Sequence, residues 1–111
     1  MRLLKFFFLS LLFINAQIVF AQDIVIDLEA GESVFGANCT ACHIGGGNTL
    51  VNEKNLKLDA LKFNSKDTVE AIITQVTNGK NGMPAFSPKL EDDEIKNVAN
   101  YVLNQAKNNN W

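Results

Sequence analysis

The run Cys39-Thr40-Ala41-Cys42-His43 places two thiols and an imidazole within five residues. C-x-x-C-H is the spacing of a c-type haem attachment site. The two thiols add across the two vinyl groups of haem and become thioethers. A histidine directly after the second thiol then falls under the iron as a ligand. The same C-x-x-C also serves a redox dithiol or half of a structural zinc site. The remainder of the chain narrows the choice. Cys39 and Cys42 are the only cysteines and His43 the only histidine, so these two residue types supply three of the four ligands a structural zinc wants. A thioredoxin-like dithiol is expected inside a βαβ pattern, and no such pattern surrounds Cys39. Covalent haem is the favoured reading, with a disulfide or dithiol as the alternative.

A partner for His43 lies further along. Asn78-Gly79-Lys80-Asn81-Gly82-Met83-Pro84-Ala85-Phe86 joins two helical patterns and carries two glycines and a proline, so it reads as a loop. The only methionines are Met1 and Met83. Once a leader is removed, Met83 is the only thioether. A thioether is a soft, neutral ligand that favours reduced iron and raises the potential. Pro84 restricts Met83 to an extended backbone, which can aim its side chain away from its own loop. The alternative for a lone Met is filling a gap in a core. No second histidine competes, so Met83 is expected as the second axial ligand. An iron held from both sides by protein atoms offers no open position to substrate or oxygen. What remains is one-electron transfer, and an electron carrier rather than an enzyme.

These groups need a frame. A first helix is expected from Asp27 or Glu29 to about Thr40, with Gly31 and Phe35 on one face as plain core. Residues 45–47 are three glycines and read as a loop, either flexible or bare so that backbone can pass close to a flat cofactor. Residues 51–57 are expected to be irregular. A short helix over 57–63 would turn Leu58, Leu61 and Phe63 inward. Asn64 and Ser65 look like the start of the next helix, which runs from 65 or 66 to Thr77. Its stripe is Val69, Ile72, Ile73 and Val76, and Asn78-Gly79 ends it. The last helix is the clearest, with Ile95, Val98, Ala99, Val102, Leu103 and Ala106 on one face. Glu91-Asp92-Asp93-Glu94 opens it, where the helix dipole favours carboxylates; a docking patch is the other use of that run. Asn108 to Trp111 is a polar tail with one aromatic, free to fold back or to fray. The pattern as a whole is all-α.

The beginning of the chain reads differently. Arg2 and Lys5 precede an apolar run from Phe6 to Ile14, and Val19-Phe20-Ala21 follows with small residues at its ends. That is the layout of a secretory signal peptide, expected to be cleaved after about residue 21. Ser10, Asn15 and Gln17 interrupt the run, which is too short for the roughly 20 apolar residues of a membrane span. Residues 22–111 then form a single domain. Cleavage takes two of the ten basic residues and none of the twelve acidic ones, leaving a formal charge of −4. Nucleic acid is an unsuitable partner for such a surface, and a basic patch on a protein partner is a suitable one.

The segments Val34-Phe35-x-x-Asn38-Cys39-x-Ala41-Cys42-His43-x-Gly45-Gly46, Gln75-Val76-x-Asn78-Gly79-Lys80-x-x-Met83-Pro84-Ala85-Phe86 and Tyr101-Val102 resemble the class I cytochromes c. Within them they are most similar to the cytochrome c6 group of algae and cyanobacteria. The likeness runs from about Ile26 to Trp111. It implies about four helices wrapped around one covalently bound haem c, with the first and last helices crossing through Gly31, Phe35 and Tyr101. It implies that Gln75 lies near the haem, and that Lys80 and apolar residues at the haem edge take part in docking. It also implies a monomeric, soluble carrier in the thylakoid lumen of a chloroplast or cyanobacterium, with no membrane insertion. Such a carrier takes electrons from cytochrome f of the cytochrome b6f complex and gives them to photosystem I. Glu91 stands where many members carry a Ser cap, and Asp23-Ile24-Val25 is unlike the family. A bacterial periplasmic cytochrome c feeding a terminal oxidase would carry the same ligands. Two further functions are compatible with the motif: a thiol–disulfide oxidoreductase using Cys39 and Cys42, and a ligand-sensing haem domain.

Overall fold

Asp27 begins the first helix by accepting the Ala30 N–H on its carboxylate at 3.0 Å, which satisfies a donor that no helical carbonyl can reach. The structure is a computed structural model and describes residues 25–111; the expected leader over residues 1–21 lies outside the described residues. In chain order α1 is Leu28–Asn38, α2 is Thr40–His43, and 3-10 turns follow at Ile44–Gly46 and Asn52–Lys54. Then come α3 over Leu58–Phe63, α4 over Val69–Asn78 and α5 over Asp92–Lys107. Helices account for all the regular structure among the described residues, as the sequence pattern requires.

α5 is the spine. All six residues of its apolar stripe are buried, with Ala99 fully inaccessible and Val98 at 1%. Its N-terminus is tied by Glu94, whose carboxylate accepts the Glu91 N–H at 3.0 Å. Glu91 and Glu94 make a capping box there, while Glu91, Asp92 and Asp93 stay exposed. α1 lies against α5 at Gly31, where a Cβ would overlap the backbone carbonyl of Asn97. The side chain of Asn97 holds the same junction by accepting the Asp27 N–H at 3.0 Å. Phe35 then meets Tyr101 with ring centroids 5.5 Å apart, so Gly31 and Phe35 are core residues of one contact. α4 packs on α5 through Ile72 and Val76, both buried.

Four details depart from the sequence pattern. α4 starts at Val69 with Thr68 as its cap, whose hydroxyl accepts the Ala71 N–H at 3.1 Å. Ser65 cannot start it: this residue sits at φ +57, and the Lys66 N–H turns back to the Leu61 carbonyl at 2.7 Å. Phe63 faces solvent at 88% exposure, whereas Leu61 is buried at 4%. Phe63 comes two residues after Leu61, about 200° further round the helix, so burying Leu61 turns Phe63 outward. Residues 52–54 form a 3-10 turn rather than irregular chain. The glycine run is likewise ordered as a turn, and the bulky group that closes on Gly46 is the indole of Trp111. The tail therefore folds back.

Leu61→Ala is expected to destabilise the protein by about 2–5 kcal/mol. Phe63→Ser is expected to change stability by no more than about 0.5 kcal/mol. Urea unfolding of the two variants measures both.

Candidate functional site

α2 is a single turn, and it begins where α1 ends. The His43 N–H donates to the Cys39 carbonyl at 2.9 Å. This brings the residues at either end of C-x-x-C-H around one turn. Both thiols are free; Cys39 is half-buried and Cys42 exposed. Burial, and secondarily the nearby Cys42, push the Cys39 thiol up to about 11. A redox dithiol needs the opposite, a thiolate stabilised near neutral pH. Among the described residues no group of three or more His, Cys, Asp or Glu side chains converges to hold a metal ion. The two thiols and the imidazole are thus not arranged around one point, as zinc would require.

The His43 ring is fixed by its own loop. Its Nδ1 lies 2.8 Å from the Gly47 carbonyl. A carbonyl only accepts, so Nδ1 carries the proton and Nε2 keeps a free lone pair. That is the usual way a ligating histidine is oriented.

Met83 comes from the loop after α4. Gly79 ends that helix at φ +66 and passes so close to the Met83 carbonyl and the Pro84–Ala85 backbone that no Cβ fits. Lys80 and Met83 then exchange both backbone hydrogen bonds, each 3.0 Å, and the Phe86 N–H donates to the Val76 carbonyl at 2.9 Å. The backbone that carries the thioether is therefore held in place. Gln75 of α4 donates from Nε2 to the Met83 sulfur at 3.7 Å. A thioether sulfur has two lone pairs, so this contact leaves one for another partner.

The two segments meet in one cavity of about 310 Å³, to which Cys39, Cys42, His43, Gln75 and Met83 all contribute. Phe35, Leu61, Ile72, Val76 and Val98 supply apolar walls, and among the described residues no Asp or Glu lines it. Lys54, Lys66 and Lys80 do. Such a cavity suits a flat, apolar ring system with an anionic edge, which describes haem and its propionates. Two thiols, one imidazole with a free Nε2 and one neutral sulfur are the donor set that a covalently attached haem uses. All five residues singled out by the sequence are brought together. Sequence reasoning misses Lys54 and Lys66, because a lysine in an irregular segment carries no sign of which way it faces.

The family model described as "Cytochrome C oxidase, cbb3-type, subunit III" matches residues 27–102. Cytochrome c6 of Gracilaria tenuistipitata var. liui is 52% identical over 110 residues, 97% of this chain and 98% of that relative. This chain belongs to the cytochrome c6 family. Cytochrome c6 of Cyanidioschyzon merolae is 53% identical over 107 residues, 96% of this chain and 97% of that protein. The crystal structure of cytochrome c6 from the diatom Phaeodactylum tricornutum superposes with a TM-score of 0.71 at 51% identity, covering 74% of this chain and 97% of the diatom one. Membership makes the fold that of the class I cytochromes c and the cofactor one covalently bound haem c. It makes the protein a haem electron carrier of photosynthetic electron transport. No helix among the described residues is long and apolar enough to cross a membrane.

Proposed function

We propose that this cytochrome c6 family member is a soluble lumenal carrier that accepts electrons from cytochrome f of the cytochrome b6f complex and delivers them to photosystem I. The cavity shared by Cys39, Cys42, His43, Gln75 and Met83 supports the haem carrier, and the likeness to algal cytochromes c6 supports the photosynthetic route. In the cavity Cys39 and Cys42 would hold haem c through two thioethers, and His43 Nε2 and Met83 Sδ would ligate its iron. The haem supplies a one-electron Fe(III)/Fe(II) couple. With both side chains on the iron, His43 and Met83 would leave no open position for an outside ligand. Gln75 holds the sulfur in place through its N–H, and the apolar walls exclude water. Lys80 is exposed beside Met83 and belongs to the docking surface. The leader over residues 1–21 takes the chain to the compartment where haem is attached, and residues 22–111 act as a monomer there.

The match to a family described by a cytochrome oxidase subunit favours a second reading, a periplasmic donor to a terminal oxidase. One experiment separates them. Reduced protein is offered to isolated photosystem I and to a terminal oxidase, and oxidation rates are compared at equal concentration. Fast oxidation by photosystem I with slow oxidation by the oxidase is expected; the reverse order rejects the photosynthetic route. Attachment is checked independently. The visible haem bands should stay with the denatured chain through acid–acetone extraction, and release of the haem would show that Cys39 and Cys42 are not its anchors.

A further inference from the structure

Trp111 stands where three parts of the chain meet. Its indole packs on Phe35 of α1 with centroids 5.3 Å apart, and edge-on to Tyr101 of α5 at 6.1 Å. Its Nε1–H donates to the Leu56 carbonyl at 2.9 Å. The Leu56 N–H donates in turn to the Gly46 carbonyl at 2.7 Å. The indole also covers Gly46 itself, which is buried at φ +77, and a Cβ on Gly46 would fall within the pyrrole part of the ring. One peptide further on, the Gly47 carbonyl accepts the Nδ1–H of His43 at 2.8 Å. Trp111 therefore grips the backbone next to the histidine's acceptor in two ways, by contact at Gly46 and through Leu56.

A core-filling aromatic would not need the hydrogen bond to Leu56. Any apolar ring would bury as well, without an N–H aimed at a carbonyl. The neighbouring turn has its own support: Asn48 accepts the Leu50 and Val51 N–H groups at 3.0 and 2.9 Å, and the Thr49 N–H donates to the Cys42 carbonyl at 3.0 Å. Loss of the indole should then loosen residues 46–47 without dismantling the rest of the loop. The carbonyl that orients the imidazole is what would move.

We infer that Trp111 is a positioning residue for His43: it holds the Gly46–Gly47 backbone so that the Gly47 carbonyl fixes the imidazole and leaves Nε2 aimed into the cavity. The inference rests on the reading of His43 as an axial ligand. His43 is the only histidine, so histidine-selective nitrogen labelling of the holoprotein reports on a single ring. Solvent exchange of its Nδ1–H and the two ring nitrogen resonances are measured in wild type, Trp111→Phe, Trp111→Ala and Ile95→Ala. Ile95→Ala truncates a buried residue of α5 outside the cavity and controls for a general loss of stability.

Trp111→Phe keeps a ring over Gly46 but loses the bond to Leu56. Exchange should rise about tenfold, the order expected for losing one ordinary hydrogen bond. Trp111→Ala should exchange faster still, with both nitrogen resonances displaced, and Ile95→Ala should resemble wild type. Unchanged exchange and resonances in Trp111→Ala overturn the inference, as does equal acceleration in Ile95→Ala. The ligand reading is tested in the wild type alone, where the ring nitrogens must shift between reduced and oxidised protein through the unpaired electron of the iron. Absence of that shift defeats both readings. Its presence with no response to Trp111 defeats only the positioning role.

Discussion

Met83→Ala is expected to lower the reduction potential sharply while the haem remains bonded to the chain. Axial ligation moves haem potentials over about 0.8 V, and the fall should be a substantial fraction of that range. The direction follows from the ligand. A neutral thioether donates weakly to Fe(III) and suits Fe(II), so losing it favours the oxidised state. The effect should stay local, because the loop does not depend on the methionine side chain. The Lys80–Met83 backbone pair and the bond from the Phe86 N–H to the Val76 carbonyl are equally available to alanine. The variant should therefore fold and keep its thioethers. Gln75 would lose its acceptor, since its Nε2 contact is to the sulfur itself. The measurements are a redox titration and the near-infrared sulfur–iron band of the oxidised protein. Loss of the band with a lowered potential is expected. An unchanged band at an unchanged potential would mean that the sulfur of Met83 is not on the iron.

Gly31→Val is expected to destabilise the protein by at least ~3 kcal/mol, the upper range for forced overpacking. The obstruction is backbone, not a side chain that could swing aside. A Cβ on Gly31 would overlap the carbonyl oxygen of Asn97 and lie 2.9 Å from the Cβ of Tyr101. Relief requires α1 and α5 to separate, which would also pull Asp27 from Asn97 and Phe35 from Tyr101. Gly36, in the same helix, provides the opposite case. Nothing lies within 4 Å of a Cβ placed there, so Gly36→Ala should stabilise the helix by roughly 0.5–1 kcal/mol. Urea unfolding midpoints of the two variants test both signs. A Gly31→Val protein as stable as wild type would show that the helix contact is not as tight as described.

The two variants differ in something local sequence does not contain. Gly31 and Gly36 are both glycines in one helix, and only the position of α5 makes one of them indispensable. The same holds for aromatics. Phe63 and Trp111 each sit at the edge of a polar stretch, yet Phe63 is 88% exposed and Trp111 is folded in against Leu56, 55 residues away. The start of α4 escapes the sequence pattern for a related reason. Asn64 and Ser65 have the composition of a helix start, but the backbone there closes the preceding helix through the Lys66 N–H.

The candidate ligands, by contrast, could be read directly from the amino-acid chain. Thioether attachment needs two thiols and a histidine at a fixed local spacing, and the chain holds no surplus cysteine or histidine to confuse the choice. The stripe of α5 was equally plain, because sixteen helical residues repeat the pattern often enough to define a face. Covalent spacing and helical period depend on neighbours a few residues apart, and such information is written in order along the chain. Tertiary structure alone decided that Met83 meets Gln75, that Lys54 and Lys66 border the same cavity, and that an indole rather than bare loop backs the histidine turn. Those relations join residues of different elements rather than neighbours on one turn. Their energies come from burial and close approach, which exist only once the helices have packed.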